Sequence, residues 1–133
     1  MNVTFDNNVL LSAFLWDGSV SQKLMFELIR RGDVKFYVSE DILNEFREVL
    51  KRDFSYADGE IEELVKSVKL VFEVISAKVK KNIVKADPDD DIVIACALKS
   101  KSSYIITYDD VLLKMKSYKN IEIITPEAAR ASI

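Results

Sequence analysis

Short, almost wholly apolar stretches alternate with longer segments of helical period along this chain, and that alternation restricts its fold more than any other feature. Residues 3–5, 35–38, 104–107 and 121–124 are too brief for helices and rich in β-branched and aromatic side chains, so they read as buried strands. Residues 72–75 also read as extended. Between them the apolar spacing changes to three and four. Ser19 or Ser21 can cap a helix running to 31, with Leu24, Met25, Leu28 and Ile29 inward and Gly32 as its stop. Ser39 caps a helix to about 52 carrying Ile42, Leu43, Phe46, Val49 and Leu50 on one side. Asp58 or Gly59 opens a third, with Ile61, Leu64, Val65, Val68 and Val71 inward. Residues 87–89 open a fourth, where a proline suits the first turn. A helical turn or two over 9–15, a short helix over 109–116 and a last helix after Thr125 complete the reading.

Strands hydrophobic on both sides, separated by helices, imply a mostly parallel central sheet flanked by helices on both faces, an α/β fold. A chain of 133 residues fits one domain, 1–133. In such sheets ligands sit beyond the carboxyl ends of the strands. Asp6 follows the first strand there, and Asp109 follows the strand over 104–107.

The chain has no histidine and one cysteine, Cys96. Histidine-dependent triads, histidine-ligated zinc and structural zinc sites are thereby excluded, as is an internal disulfide. A lone cysteine suits a reducing, cytoplasmic setting. The apolar run over 9–16 is too short to cross a bilayer, and no leader-like start is seen, so no membrane role is expected. Hydrolytic chemistry would have to use carboxylates and a hard cation that prefers oxygen. The net charge of −3 argues mildly against an anionic substrate. Gathering several acids into one pocket would leave a positive surplus elsewhere.

Each acid also has a plainer reading. Asp6 could simply cap the turn that follows it. Glu45 lies beside Ile42, Phe46 and Val49, at the apolar border of its helix, where surface glutamates are common. Asp87, Asp89, Asp90 and Asp91 precede an apolar helix, and the helix dipole accounts for one or two of them. Asp90 shares a face with Ile94 and Ala97, whereas Asp91 points a quarter-turn away. Asp109 or Asp110 could cap the short helix after them. A metal site needs such acids to converge.

Four segments, in order, resemble the motifs of the PIN-domain family. They are Asp6-Asn7-Asn8-Val9-Leu10-Leu11-Ser12-Ala13; Ser39-Glu40-Asp41-Ile42-Leu43-Asn44-Glu45; Asp87-Pro88-Asp89-Asp90-Asp91 leading into Ala95-Cys96-Ala97; and Tyr104-Ile105-Ile106-Thr107-Tyr108-Asp109. Asn7 stands where the family usually has threonine. The resemblance is to the branch of VapC-like toxins of toxin–antitoxin pairs. It implies a single Rossmann-like PIN domain and a ribonuclease dependent on Mg²⁺ or Mn²⁺. It also implies an RNA substrate, a small antitoxin as partner and a homodimer. On this resemblance Asp6, Glu45, Asp90 and Asp109 are the catalytic and metal-binding acids, with Asp91 as the alternate to Asp90. Asn8, Ser12 and Thr107 would support them by hydrogen bonds. Arg47, Lys51, Lys99 or Lys101 would form a basic rim for phosphate. The alternative is a PIN fold that binds RNA or protein without cutting.

Two other α/β classes fit less well. A phosphoacceptor receiver wants an acid pair after the first strand and an Asp ending a middle strand, and neither is present. A nucleotide-binding Rossmann enzyme wants a glycine-rich phosphate loop, and none is found.

Overall fold

The computed structural model describes residues 1–79 and 88–133, with the side chains of 88 and 89 left aside; Asp87, and the side chain of Asp89, fall outside that range. The element order is β1 (Asn2–Phe5), α1 (Asn7–Leu15), α2 (Val20–Arg31), β2 (Lys35–Ser39), α3 (Glu40–Phe54), α4 (Asp58–Val71) and β3 (Phe72–Ile75). It continues with α5 (Pro88–Lys99), β4 (Tyr104–Ile106), α6 (Asp110–Met115), β5 (Ser117–Tyr118), β6 (Ile121–Ile124) and α7 (Pro126–Ser132). Among the described residues six strands make one sheet in the order β3-β2-β1-β4-β6-β5. All neighbours pair in parallel except β5 with β6. This is the mostly parallel α/β sheet that the sequence pattern implies.

The helix boundaries follow capping chemistry. Ser19 accepts from the amide of Gln22 to start α2, and Gly32, at φ 77°, closes it in the left-handed conformation that glycine adopts at little cost. Ser39 accepts from Ile42 to start α3. Thr125 does the same for α7, with Pro126 in the first turn. Among the described residues only the strand β5 escaped the sequence reading. Two residues are too few to show a strand period, and its turn to β6, Lys119-Asn120, lacks the usual Asn-Gly signature although both residues have positive φ.

Two layers of side chains fix the helices on the sheet. On one face Phe5, Phe36 and Phe72 meet edge-on at 5.1–5.8 Å between ring centres, and Phe14 of α1 packs on Phe72. On the other face α5 lies against β1, with the Thr4 hydroxyl 3.8 Å from the sulfur of Cys96. Thr4 Oγ1 also hydrogen-bonds Ser102 Oγ at 2.8 Å, and Ser102 hydrogen-bonds Ser100 at 2.6 Å. All three hydroxyls are buried. Asn2 Nδ2 donates to the Ser100 carbonyl at 2.8 Å. These contacts orient α5 antiparallel to β1: Asn2 is level with Ser100, and Thr4 with Cys96.

That pairing positions the site. From Asn2 to Asp6 the strand direction climbs about 13 Å. From Ser100 back to Asp90 the helix climbs about 15 Å. The first turn of α5 is therefore level with the carboxyl end of β1. The sheet order adds a second condition. From β1 the chain builds outward to β2 and β3 on one side, then returns to add β4 and β6 on the other. The crevice between β1 and β4 is the topological switch point at which parallel sheets bind ligands.

Candidate active site at the sheet switch point

Asp6 is the first residue beyond β1 and is 6% exposed. A carboxylate this buried must be met by donors or cations. Its Oδ1 accepts from the amide of Asn7 at 2.7 Å, which makes it the N-cap of α1. Its Oδ2 accepts from the Thr107 hydroxyl at 2.7 Å. The capping reading therefore holds for Oδ1, while Oδ2 is tied to the neighbouring strand end.

Thr107, fully buried, is the first residue beyond β4. While its hydroxyl donates to Asp6, the oxygen accepts from the amide of Asp109 at 2.9 Å. Asp109 is the N-cap of α6. Its Oδ1 accepts from Val111 and Leu112 at 2.9 and 3.1 Å. One threonine hydroxyl therefore spans the switch point and couples the two strand-end acids. Asn8 adds a parallel tie, its Oδ1 accepting from the amide of Tyr108 at 3.2 Å. The carbonyl of Ser12 accepts from the Ser19 hydroxyl at 2.8 Å, holding the α1–α2 junction.

Asp90 and Asp91 are both buried in the first turn of α5, 5% and 2% exposed. The dipole of the helix favours negative charge there. Burial does not choose between them. Glu45 is half-buried in the second turn of α3, between buried Ile42 and Phe46. Helix α3 packs against both α1 and α5. The buried hydroxyl of Ser39 caps α3, and that of Thr4 on β1 meets Cys96 of α5 at 3.8 Å, so small polar groups line the internal seam. That seam had no signature in the sequence, because serine and cysteine in a core look like ordinary small residues.

Asp6 follows β1 and Asp109 comes just after β4, at the carboxyl edge of the sheet, while Glu45 lies on α3 and Asp90 in the first turn of α5. Hydrogen bonds join Asp6 to Asp109 through Thr107. Among the described residues no group of three or more acidic or cysteine side chains is drawn close enough to hold a metal ion. The donor set is all oxygen, and its chemistry fits a hard divalent cation such as Mg²⁺ or Mn²⁺.

The basic rim is corrected. Arg47 is spent on Glu62 at 3.1 Å and on Asn44 at 2.9 Å, and Lys51 on Asp58 at 3.3 Å, all between α3 and α4 or within α3. Lys99 and Lys101 stand at the carboxyl end of α5, at the opposite end of the sheet from Asp6, where Ser103 bonds Asn2. Lysines are frequent on any surface, and spacing along the chain does not tell which end of a helix faces the crevice.

A parallel sheet with capped, hydroxyl-linked acids at its switch point defines a small α/β protein with an acidic crevice. The sequence matches the PIN domain family over residues 2–110, and the chain belongs to that family. Its backbone is similar to a chain in the crystal structure of VapBC2 from Rickettsia felis bound to a DNA fragment from their promoter. The TM-score is 0.68 at 12% identity, over 92% of this chain and 97% of that one. No curated protein matches the sequence. Among the described residues no helix is long and apolar enough to cross a membrane.

Proposed function

We propose that this protein is a metal-dependent endoribonuclease, the toxin of a toxin–antitoxin pair. The observation that carries the reading is the Thr107 bridge between Asp6 and Asp109 at the sheet switch point of a PIN domain. Burial alone asks for a donor on Oδ2; what favours a site is that the same hydroxyl also takes the amide of the second strand-end acid, fixing the two together.

In this reading Asp6, Asp90 and Asp109 hold a Mg²⁺ or Mn²⁺ ion, and Glu45 completes the set or orients the attacking water. Asp91 is the alternate to Asp90. The bound cation supplies charge neutralisation at the phosphodiester and makes a water more acidic. The chain does the rest. Thr107 fixes the rotamer of Asp6 by donating to Oδ2, and the amides of Val111 and Leu112 fix that of Asp109 through Oδ1. Asn8 holds the loop after β4 against α1. Asn7 is buried but contributes its amide to Asp6 Oδ1, a role any residue fills, so the change from the family's threonine leaves the acid seated.

The similarity to a chain of VapBC2 supports a small antitoxin as partner; a homodimer enters the reading only through the resemblance of the motifs. A cytoplasmic setting belongs to the reading through the lone buried thiol, Cys96. The experiment is cleavage of end-labelled RNA with Mg²⁺, Mn²⁺ or EDTA, by the wild type and by Asp6→Asn. Cleavage only with metal and only by the wild type supports the proposal; equal cleavage by both removes Asp6 from the chemistry.

A second reading is a PIN fold that binds RNA or protein and does not cut. It draws on the absence, among the described residues, of a preformed three-acid cluster. Titration with Mn²⁺ separates the two, since a binding module gives no saturable site that Asp6→Asn abolishes.

A further inference from the structure

A broad cleft lies away from the acids. It measures about 660 Å³ and is lined by Ser76, Lys78, Ala95, Leu98, Lys99 and Lys119 among others. A second cleft of about 370 Å³ shares Leu98 and Lys119 with it and adds Lys101. Among the described residues neither lining contains a carboxylate. All four lysines are exposed, and among the described residues none of them makes an ion pair. In a chain of net charge −3, this segregation of ammonium groups is a local positive field.

The backbone at two of these lysines is the independent sign. After α5 the amide of Lys101 bonds Leu98 and that of Ser102 bonds Ala97, which is a Schellman closure with Lys101 at its left-handed position, φ 54°. Lys119 is the first turn residue between β5 and β6, at φ 45°. Glycine or asparagine suits both positions, because a Cβ crowds the backbone there. Three turn lysines have positive φ, Lys101, Lys116 and Lys119, and two of them line this pair of joined clefts.

We propose that Lys78, Lys99, Lys101 and Lys119 form a phosphate-binding track for the RNA strand, remote from the cutting site. This rests on the nuclease reading for the identity of the polyanion. The track follows α5, and Lys99 stands about 13 Å along that helix from Asp90. Lysines act there as point charges that position a backbone without reading bases. The track therefore sets how a strand is laid across the molecule and leaves the chemistry to the acids.

The test is binding of a short, labelled single-stranded RNA in EDTA over a salt series. The triple variant Lys99→Glu, Lys101→Glu, Lys119→Glu should weaken binding at least about tenfold at low salt and flatten the salt dependence by about two phosphate-equivalents. Its turnover at saturating RNA should stay at the wild-type level while KM rises. Lys101→Gly should melt at or above the wild-type temperature yet bind RNA more weakly, and Lys101→Arg should bind as the wild type. Unchanged affinity and salt slope in the triple variant overturn the track, as does a Lys101→Gly protein that binds RNA normally. Reduced binding of poly-glutamate with RNA affinity intact also overturns it, and assigns the lysines to an acidic protein. Failure of the nuclease reading shows separately, as wild-type cleavage by Asp6→Asn.

Discussion

The hydroxyl of Thr107 reaches Oδ2 of Asp6 at 2.7 Å, across 101 positions of sequence and from one strand end to the next. Because the same oxygen receives the amide of Asp109, one side chain sets the relation between two acids. Replacing it with valine keeps the shape and deletes both bonds. Thr107→Val should cost about 1–3 kcal/mol, since a buried carboxylate and an amide are left unmet. It should also lower RNA cleavage by about 10–100-fold, the usual effect of removing a group that orients a metal ligand. Thr107→Ser should restore most of both. Denaturant melts and single-turnover cleavage measure the two effects, and a valine variant with normal cleavage would sink the bridge as a functional device.

Asp109 separates capping from chemistry. Asn caps helices about as well as Asp, whereas Ala loses about 1 kcal/mol of cap energy. Asp109→Asn should therefore keep its melting temperature and abolish metal-dependent cleavage, while Asp109→Ala loses both. If Asp109→Asn cleaves normally, the acid is a cap alone.

The choice within the first turn of α5 is open to direct measurement. Asp90 and Asp91 are equally hidden from solvent, so stability will not distinguish them. On the proposed assignment Asp90→Asn abolishes the saturable Mn²⁺ signal and cleavage, and Asp91→Asn retains both. The reverse result moves the ligand to Asp91.

Burial pushes the thiol of Cys96 up to about 12 from an ordinary value of 9.0, despite the hydroxyls of Thr4 and Ser39 beside it. The neutral thiol is the form the native core accepts. In the unfolded chain it ionises first, so the native state holds more protons between these values. Its contribution to stability is complete below pH 9.0 and is lost progressively as pH rises towards about 12. Replacing Cys96 with alanine should flatten the alkaline decline. In the native protein at neutral pH a thiol reagent should react only as fast as the chain opens.

Much of this architecture could be read from residues alone, for physical reasons. Ser19, Gly32, Ser39 and Thr125 announce helix ends because capping is local chemistry, and the ends fall where they say. Asp6 could be suspected because it follows an apolar run too short for a helix, and Thr107 through the resemblance of its segment to the fourth motif. The partnership between them could not, since it depends on which strands become neighbours. The seam of Thr4, Ser39 and Cys96 was silent for the same reason. The basic rim failed because a helix offers lysine the same chemistry at either end, and only the direction of α5 against β1 decides which end meets the crevice.

The hairpin of β5 and β6 has a consequence for recognition. With only Ser117 and Tyr118 on the outer strand, that border of the sheet offers an incoming chain too few peptide groups to extend the ladder. Whatever docks beside Lys119 must be selected by its side chains or its charge, because the backbone there has almost nothing to offer it.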